Sequence, residues 1–455
     1  MIQRVPSPLH RFLLSVVLGS FTLSSVPAAP LPSHAGPVPA DAAASHVLSA
    51  KDRSAVFDKV WAEINERYYD PAFNGVDWKT IRAAYEPRIT SAESDSAFYD
   101  LLKRMVEELH DAHTRFSTPQ EWQNREKHRG VSAGFSVDSV EGRTVVTSVT
   151  PDSQAARNGV APGMALLSID GRAVEARLRE IGATHARNSS DRADLLLAYR
   201  NLLSGPAGSV VQLELQRADG SVWQTSVTRA FQSYSRNVQQ KSLPSGLAYL
   251  RFDEFEAATP RDFKHALRSV QSAPGLIIDL RANGGGTLAS MLQIAGYLLP
   301  GRTRFALDRT RTGKPISALG GLFKVGLELY AGEKGHQIYS GPVAILVRGR
   351  TASAAEIFSA GLQESGRAQV FGTQTCGCVL GIVKNRKVKG GGVLEISEML
   401  WLTPKGRRLE GEGVLPDREV RSSIADLQQH RDAQLEEAEK SLRAAAQESR
   451  PVRGQ

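Results

Sequence analysis

From residue 236 onward the chain alternates short apolar runs with helix-patterned stretches, and this alternation limits the possible folds more than any other feature. LAYLRFDEF, GLIIDLRANGGG, PVAILVRG and AQVFGTQT have the composition of strands, while RDFKHALRSV, TLASMLQIAGYLL and SAAEIFSAGLQES carry helical spacing between them. Strands connected through helices pair in parallel and need helices over their faces, so residues 236–422 are expected to form an α/β core. A charged, thinly amphipathic helix follows at 423–455 and is expected to pack at the edge or fray.

The upstream texture differs. VFDKVWAEINERYY and FYDLLKRMVEELHDAH repeat apolar residues at helical spacing, so 51–128 is expected to be a small helical domain ending in a surface turn. From 131 to 232 short β-rich runs are punctuated by Gly and Pro, with Asp-Gly pairs at 170–171 and 219–220 marking tight turns. SDRADLLLAYRNLL is the one strong helix expected there. Residues 29–50 are rich in Pro, Ala and Ser and read as a disordered linker. At the N-terminus Arg4 and Arg11 bracket the approach to FLLSVVLGSF, and Val26-Pro27-Ala28 fits a small-residue cleavage site. Residues 1–28 therefore read as a signal peptide, which places the mature protein in the periplasm or outside the cell.

At 455 residues the chain exceeds one ordinary core, and its composition is that of a soluble globular protein. The formal charge of +8 is scattered. Its densest cluster, KNRKVK at 384–389, alternates like a solvated strand or hairpin, and no aromatic interleaving accompanies it, so nucleic acid is not an expected partner. The two cysteines, Cys376 and Cys378, are one residue apart. A mutual disulfide at that spacing is strained, so stability is not expected to rest on one, although an exported compartment permits it.

Four segments carry chemistry. Ser353 stands where an apolar run gives way to a helix, the position at which the Ala354 N–H and the helix dipole would serve an oxyanion. It also reads as a plain N-cap, with Glu356 completing a capping box. In DLRANGGG three glycines follow a strand and present backbone N–H groups; GxGxxG is absent, so an oxyanion turn fits better than a dinucleotide loop. In ELHDAHTRF, His110 and His113 lie three apart, but HExxH and a third ligand cluster are missing, and a helix-end histidine explains them as well. RLEGEGVLPD supplies Glu410, Glu412 and Asp417 in a turn, where a buried carboxylate would orient a histidine base. No metal or cofactor is expected.

Taken together these segments resemble the C-terminal processing (tail-specific) serine peptidases and their relative, the tricorn core peptidase. The resemblance runs through VWAEINERYYD, LHDAHTRF, SAGF, VTPDSQAARNGVAPGMALLSIDGR, LLSGPAGSVVQLELQR, DLRANGGG and TASAAEIFSAGLQESGRAQVFGTQT, in the family's order. It implies a ClpP/crotonase-like α/β peptidase core with an N-terminal helical domain and an inserted PDZ-like domain at 131–232. In that domain Ala133, Gly134 and Phe135 would form the carboxylate-binding loop. The processing peptidases activate the serine with a lysine in a T-x-G-K-G segment. TCGCV stands there, with Cys378 at the lysine position and Ile382 at that of a following glutamine.

Tricorn-like relatives instead use a histidine and a glutamate, which correspond to His113 and Glu410; Ala112 stands where tricorn carries an extra serine. The resemblance thus implies a Ser353–His113–Glu410 triad, with an oxyanion hole from Gly284 or Gly285 and Ala354. The function implied is a serine endopeptidase acting on exported proteins or peptides, whose PDZ-like domain binds substrate C-termini. Two alternatives stand beside it: a serine peptidase using another base, such as Cys378 or Lys384, and a non-catalytic peptide-binding or scaffold protein on the same fold. The oligomeric state is not readable.

Overall fold

The computed structural model describes residues 48–448 apart from 185–187, 234–237, 319–322, 326 and 333–336. The expected signal peptide and all but the last residues of the expected linker lie outside the described residues. The runs read as core strands form a six-stranded sheet in the order Gln239–Ser242, Ala248–Arg251, Leu276–Asp279, Val343–Val347, Ala368–Gly372, Arg418–Glu419. All its pairings are parallel except the first, where Gln239–Ser242 runs antiparallel to its neighbour.

The continuous apolar runs are explained by burial on both faces. Leu276, Ile278, Val343, Ile345 and Val370 point into one core with Phe263, Ile294 and Phe358, which belong to the helices Thr259–Ser269, Leu288–Gly296 and Ala354–Glu364. The alternate residues Ile277, Ala344, Leu346 and Phe371 point the other way, against Ala438 and Leu442 of the helix Ala433–Glu448. The C-terminal helix therefore does not fray or sit at an edge. It supplies the cover that the second face of a parallel sheet requires. Asp432, just before it, is held by Arg281, whose guanidinium also grips Asp279 at the end of the strand Leu276–Asp279.

A second, antiparallel sheet was not anticipated: Glu328–Ala331, Thr303–Thr310, Ser397–Leu402, Leu380–Ile382. Within it Asp308 is 5% exposed, and among the described residues neither carboxylate oxygen has a hydrogen-bond partner. Burial pushes its pKa up to about 7. Because the folded-state pKa is raised, stability is full at low pH and is lost as pH rises through about 7. Asp308→Asn is expected to remove that loss. Urea unfolding should find the variant roughly 1–3 kcal/mol more stable than wild type at pH 8, with a smaller gap at pH 5.

The N-terminal helices Ala50–Arg67, Trp78–Thr90 and Asp95–Glu107 form as the spacing predicts, but not around a private core. Phe57, Ile64, Phe98 and Leu102 share one cluster with Leu380, Val388, Leu394 and Ile396 of the C-terminal half. The expected surface turn is instead a strand, Arg115–Ser117, paired antiparallel with Val393–Glu395. Nor is the basic cluster at 384–389 simply solvated: Arg386 is buried between Glu63 and Glu398.

Between these parts lies a β-sheet module. Phe135–Val140, Arg143–Val149, Ala165–Ile169, Val210–Gln216 and Val222–Thr228 pair antiparallel in that order, and its two connectors, Arg129–Ser132 and Ala230–Ser233, pair with each other. Asp170 and Gly171 both take positive φ, as a tight hairpin turn demands. The helix Asp191–Asn201 was anticipated, whereas Val174–Thr184 was not. Among the described residues no helix is long and apolar enough to cross a membrane.

Candidate active site

Ser353 sits between the strand Val343–Val347 and the helix Ala354–Glu364, with φ 57° and ψ −126°. A non-glycine residue there costs about 1–3 kcal/mol, which the surroundings must offset. They do so with many bonds. Thr351 Oγ1 donates to Leu280 O at 2.8 Å, Ala352 N–H to Asn283 O at 3.1 Å, and Ser353 N–H to Cys378 O at 2.9 Å. The same sharp strand-to-helix turn is how nucleophile elbows expose a serine hydroxyl.

Gly285 crosses directly behind this turn with φ 107°; a Cβ there would lie 2.6 Å from Ser353 Cβ, so only glycine fits. The oxyanion donors differ in readiness. Gly284 N–H donates to Asp253 O and Gly285 N–H to Asn283 Oδ1, so both glycine donors are engaged internally. Ala354 N–H, on the first turn of the serine helix, has no internal partner among the described residues.

Glu356 does more than cap. It is fully buried and receives Ser353 N–H and Cys378 N–H on one oxygen, Gly377 N–H and the Thr375 hydroxyl on the other. Burial pushes its carboxyl up to about 7 against those four bonds. The carboxyl clasps the serine turn to the segment 375–378. That segment contains a disulfide between Cys376 and Cys378, whose Cα atoms lie 5.2 Å apart. The bridge whose one-residue spacing read as strained is formed here. Gly377, at φ 72°, folds the tripeptide tightly enough to bring the two Cα atoms within the usual span of about 4.4–6.8 Å. While bridged, Cys378 has no thiol to act as a base, and Lys384 is exposed.

His113 lies in the connection between the helix Asp95–Glu107 and the strand Arg115–Ser117, not on a helix face, so a helical metal pair with His110 does not form. Its N–H donates to Asp111 Oδ1 at 2.7 Å. Its imidazole is buried, and among the described residues Nδ1 has no partner. Burial, with the nearby Arg115 cation, pulls its pKa down to about 4. Glu410, 2% exposed, accepts from the Ser189 hydroxyl and from Val379 N–H rather than from an imidazole. Burial pushes it up to about 8, and the neighbouring Asp111 and Glu356 charges add to the rise. Ala112 and Ala352, the chain neighbours of His113 and Ser353, both pack on the Cys376–Cys378 pair. The segments that carry Ser353, His113 and Glu410 all meet residues 376–379, and among the described residues no His113–Glu410 hydrogen bond is present.

The β-sheet module meets this place directly. Besides Ser189, Arg192 donates to the carbonyls of Cys376, Gly411 and Glu412. Arg350, three residues before Ser353, donates to Val137 O in the strand Phe135–Val140. Ala133 and Phe135 are buried in the module's core, and Gly134 N–H donates to Ser132 Oγ. Sequence reasoning missed Ser189, Arg192, Arg350 and the clasp made by Glu356. Only the capping-box spacing of Glu356 was visible.

Residues 246–420 match peptidase family S41, and residues 49–107 match the tricorn protease C1 domain. The match to the peptidase family lies on the segment that forms the α/β core. The chain is 24% identical over 390 residues to the chloroplastic carboxyl-terminal-processing peptidase 3 of Arabidopsis thaliana, covering 81% of this chain and 69% of the relative. It is 26% identical over 394 residues to a carboxyl-terminal-processing protease of Synechocystis sp., covering 83% and 84%. Among solved structures, mature CPAF superposes with a TM-score of 0.66 at 14% identity, covering 89% of this chain and 99% of that one. The photosystem II D1 C-terminal processing protease gives 0.56 at 23% identity, covering 86% and 97%. At these identities the structural likeness speaks to the fold.

Proposed function

We propose that this protein is a serine endopeptidase of the S41 type that cleaves exported proteins or peptides through an acyl-enzyme, with Ser353 as nucleophile, His113 as base and Glu410 as the carboxylate that orients the imidazole. The observation that carries the reading is the strained turn at Ser353, with the unpartnered Ala354 N–H beside it. Ser353 Oγ attacks the scissile carbonyl while His113 takes its proton, then returns it to the leaving amine. Ala354 N–H receives the oxyanion, a contribution of roughly 3–4 kcal/mol to the barrier, joined by a glycine-turn N–H once it turns from its internal acceptor.

Residues 131–232 act as a PDZ-like module that takes substrate C-termini as an added strand, with Ala133, Gly134 and Phe135 at the carboxylate. The likeness to carboxyl-terminal-processing peptidases supports substrates with exposed tails. The apolar N-terminal run supports export.

The conformation described is a resting one. Near neutral pH Glu410 is protonated and bonded to Ser189, so it cannot hold an imidazolium. His113 is neutral and able to accept a proton. Activity is therefore limited by ionisation of Glu410. Hydrolysis of an unfolded protein substrate is expected to show kcat/KM rising through about pH 8, roughly tenfold lower at pH 7 than on the alkaline plateau. In Glu410→Gln the rise should vanish and the rate stay at the low level. An acid limb near 6.5 that survives Glu410→Gln would show that Glu410 does not serve the histidine.

A further inference from the structure

The Cys376–Cys378 bridge has a place in this site that its size does not suggest. Every backbone polar group from Cys376 N–H to Cys378 C=O is spent on the reaction machinery or its supports. Cys376 N–H donates to Thr351 O, two residues before the serine, and Cys376 O accepts from Arg192. Gly377 N–H and Cys378 N–H both reach Glu356, Gly377 O accepts from Gly411 N–H beside Glu410, and Cys378 O accepts from Ser353 N–H. Val379 N–H, the next donor, goes to Glu410. One covalently closed tripeptide thus touches the nucleophile's own amide, the buried carboxyl that clasps it and the loop of the orienting carboxylate.

We propose that the Cys376–Cys378 disulfide is a positioning latch for Ser353, so that the peptidase is competent with the bridge closed and loses most of its turnover with the bridge open. The inference rests on Ser353 being the nucleophile. A glycine-centred tripeptide without the bridge is free in six backbone dihedrals, and holding it in this tight turn then falls to hydrogen bonds alone. Its carbonyl and two of its amides set where Ser353 and Glu356 lie, and a shift of about 1 Å at a reacting group costs on the order of 100-fold in rate. Opening requires a dithiol reductant. One thiolate attacks a bridge sulfur to give a mixed disulfide, and the second thiol of the reductant resolves it. The chain gains two electrons and two protons as two thiols, and the reductant leaves as its own disulfide.

The test compares purified chain before reduction, after dithiothreitol, and after reoxidation. Alkylation and mass measurement count free thiols, and the readouts are kcat, KM and the rate of fluorophosphonate labelling at Ser353. Reduction is expected to lower kcat and labelling roughly 100-fold with little change in KM, and reoxidation to restore both. The double variant Cys376→Ser/Cys378→Ser should show the same low kcat, with no response to reductant and a thermal midpoint showing that it is folded. Unchanged or increased turnover with two free thiols present overturns the proposal. Where the bridge resists the reductant, wild-type turnover in the folded double variant overturns it instead. A fault in the underlying reading would look different: oxidised wild-type protein would give no adduct on Ser353 at all.

Discussion

Ser353→Ala is expected to lower kcat for peptide hydrolysis by roughly 10⁴- to 10⁶-fold, and His113→Ala by a similar factor, with the double variant hardly worse than either single one. Residues that act as a unit are not additive, so that pattern is itself diagnostic. Stability should barely move in Ser353→Ala. The bonds that hold the turn are made by the backbone of residue 353, to Cys378 O and Glu356, and alanine keeps them. Alanine also keeps the unfavourable φ of 57°, so no strain is relieved. A folded Ser353→Ala protein with near-normal turnover would remove Ser353 from the chemistry.

The second large effect is structural. Arg281 donates to both oxygens of Asp279 and both of Asp432, and Asp279 is 2% exposed. The Arg281 cation holds the Asp279 carboxyl below the usual carboxylate range despite burial. Arg281→Ala leaves that charge in the interior without its partner and frees the start of the C-terminal helix from the sheet. Urea unfolding is expected to show a loss of roughly 3–5 kcal/mol. The partner at Asp432 is partly solvated, with its side chain 37% exposed, so Asp432→Ala should cost less, about 1 kcal/mol. Equal effects from the two variants would mean that the pair at Asp279 is not the buried anchor described.

Much of this architecture was legible because it is written locally. GLIID is apolar at every position up to its last, as a strand buried on both faces must be, and Leu276–Asp279 forms in the sheet accordingly. The helices after Thr287 and Ser353 begin where small polar residues precede apolar spacing. What was hidden depends on partners far along the chain. Thr303–Thr310 and Ser397–Leu402 are joined across about 90 residues and read as unremarkable in isolation. Val174–Thr184 carries Val174, Leu178 and Ile181 at helical spacing, but the Asp-Gly turn just before it drew the reading toward strand.

The site shows the same division. Ser353 and the glycine turn were singled out from residue types and position, whereas His113 and Glu410 entered the triad only through the resemblance to tricorn-like peptidases. Glu356 looked like a cap, because its other donors come from residues 375, 377 and 378. The bridge between Cys376 and Cys378 read only as strained but permitted from its spacing, since the positive φ of Gly377 at its centre is a property of the folded loop. Ser189 was invisible as a partner for Glu410, because two separate parts of the chain must meet before that bond exists.

The central claim, an activated serine served by a histidine, is tested most directly by treating the purified chain with a fluorophosphonate and locating the adduct by peptide mass mapping. The account predicts one adduct, on Ser353, lost or formed far more slowly in His113→Ala. Folded wild-type protein that stays unlabelled, or an adduct on Ser353 that forms equally fast without His113, would contradict it.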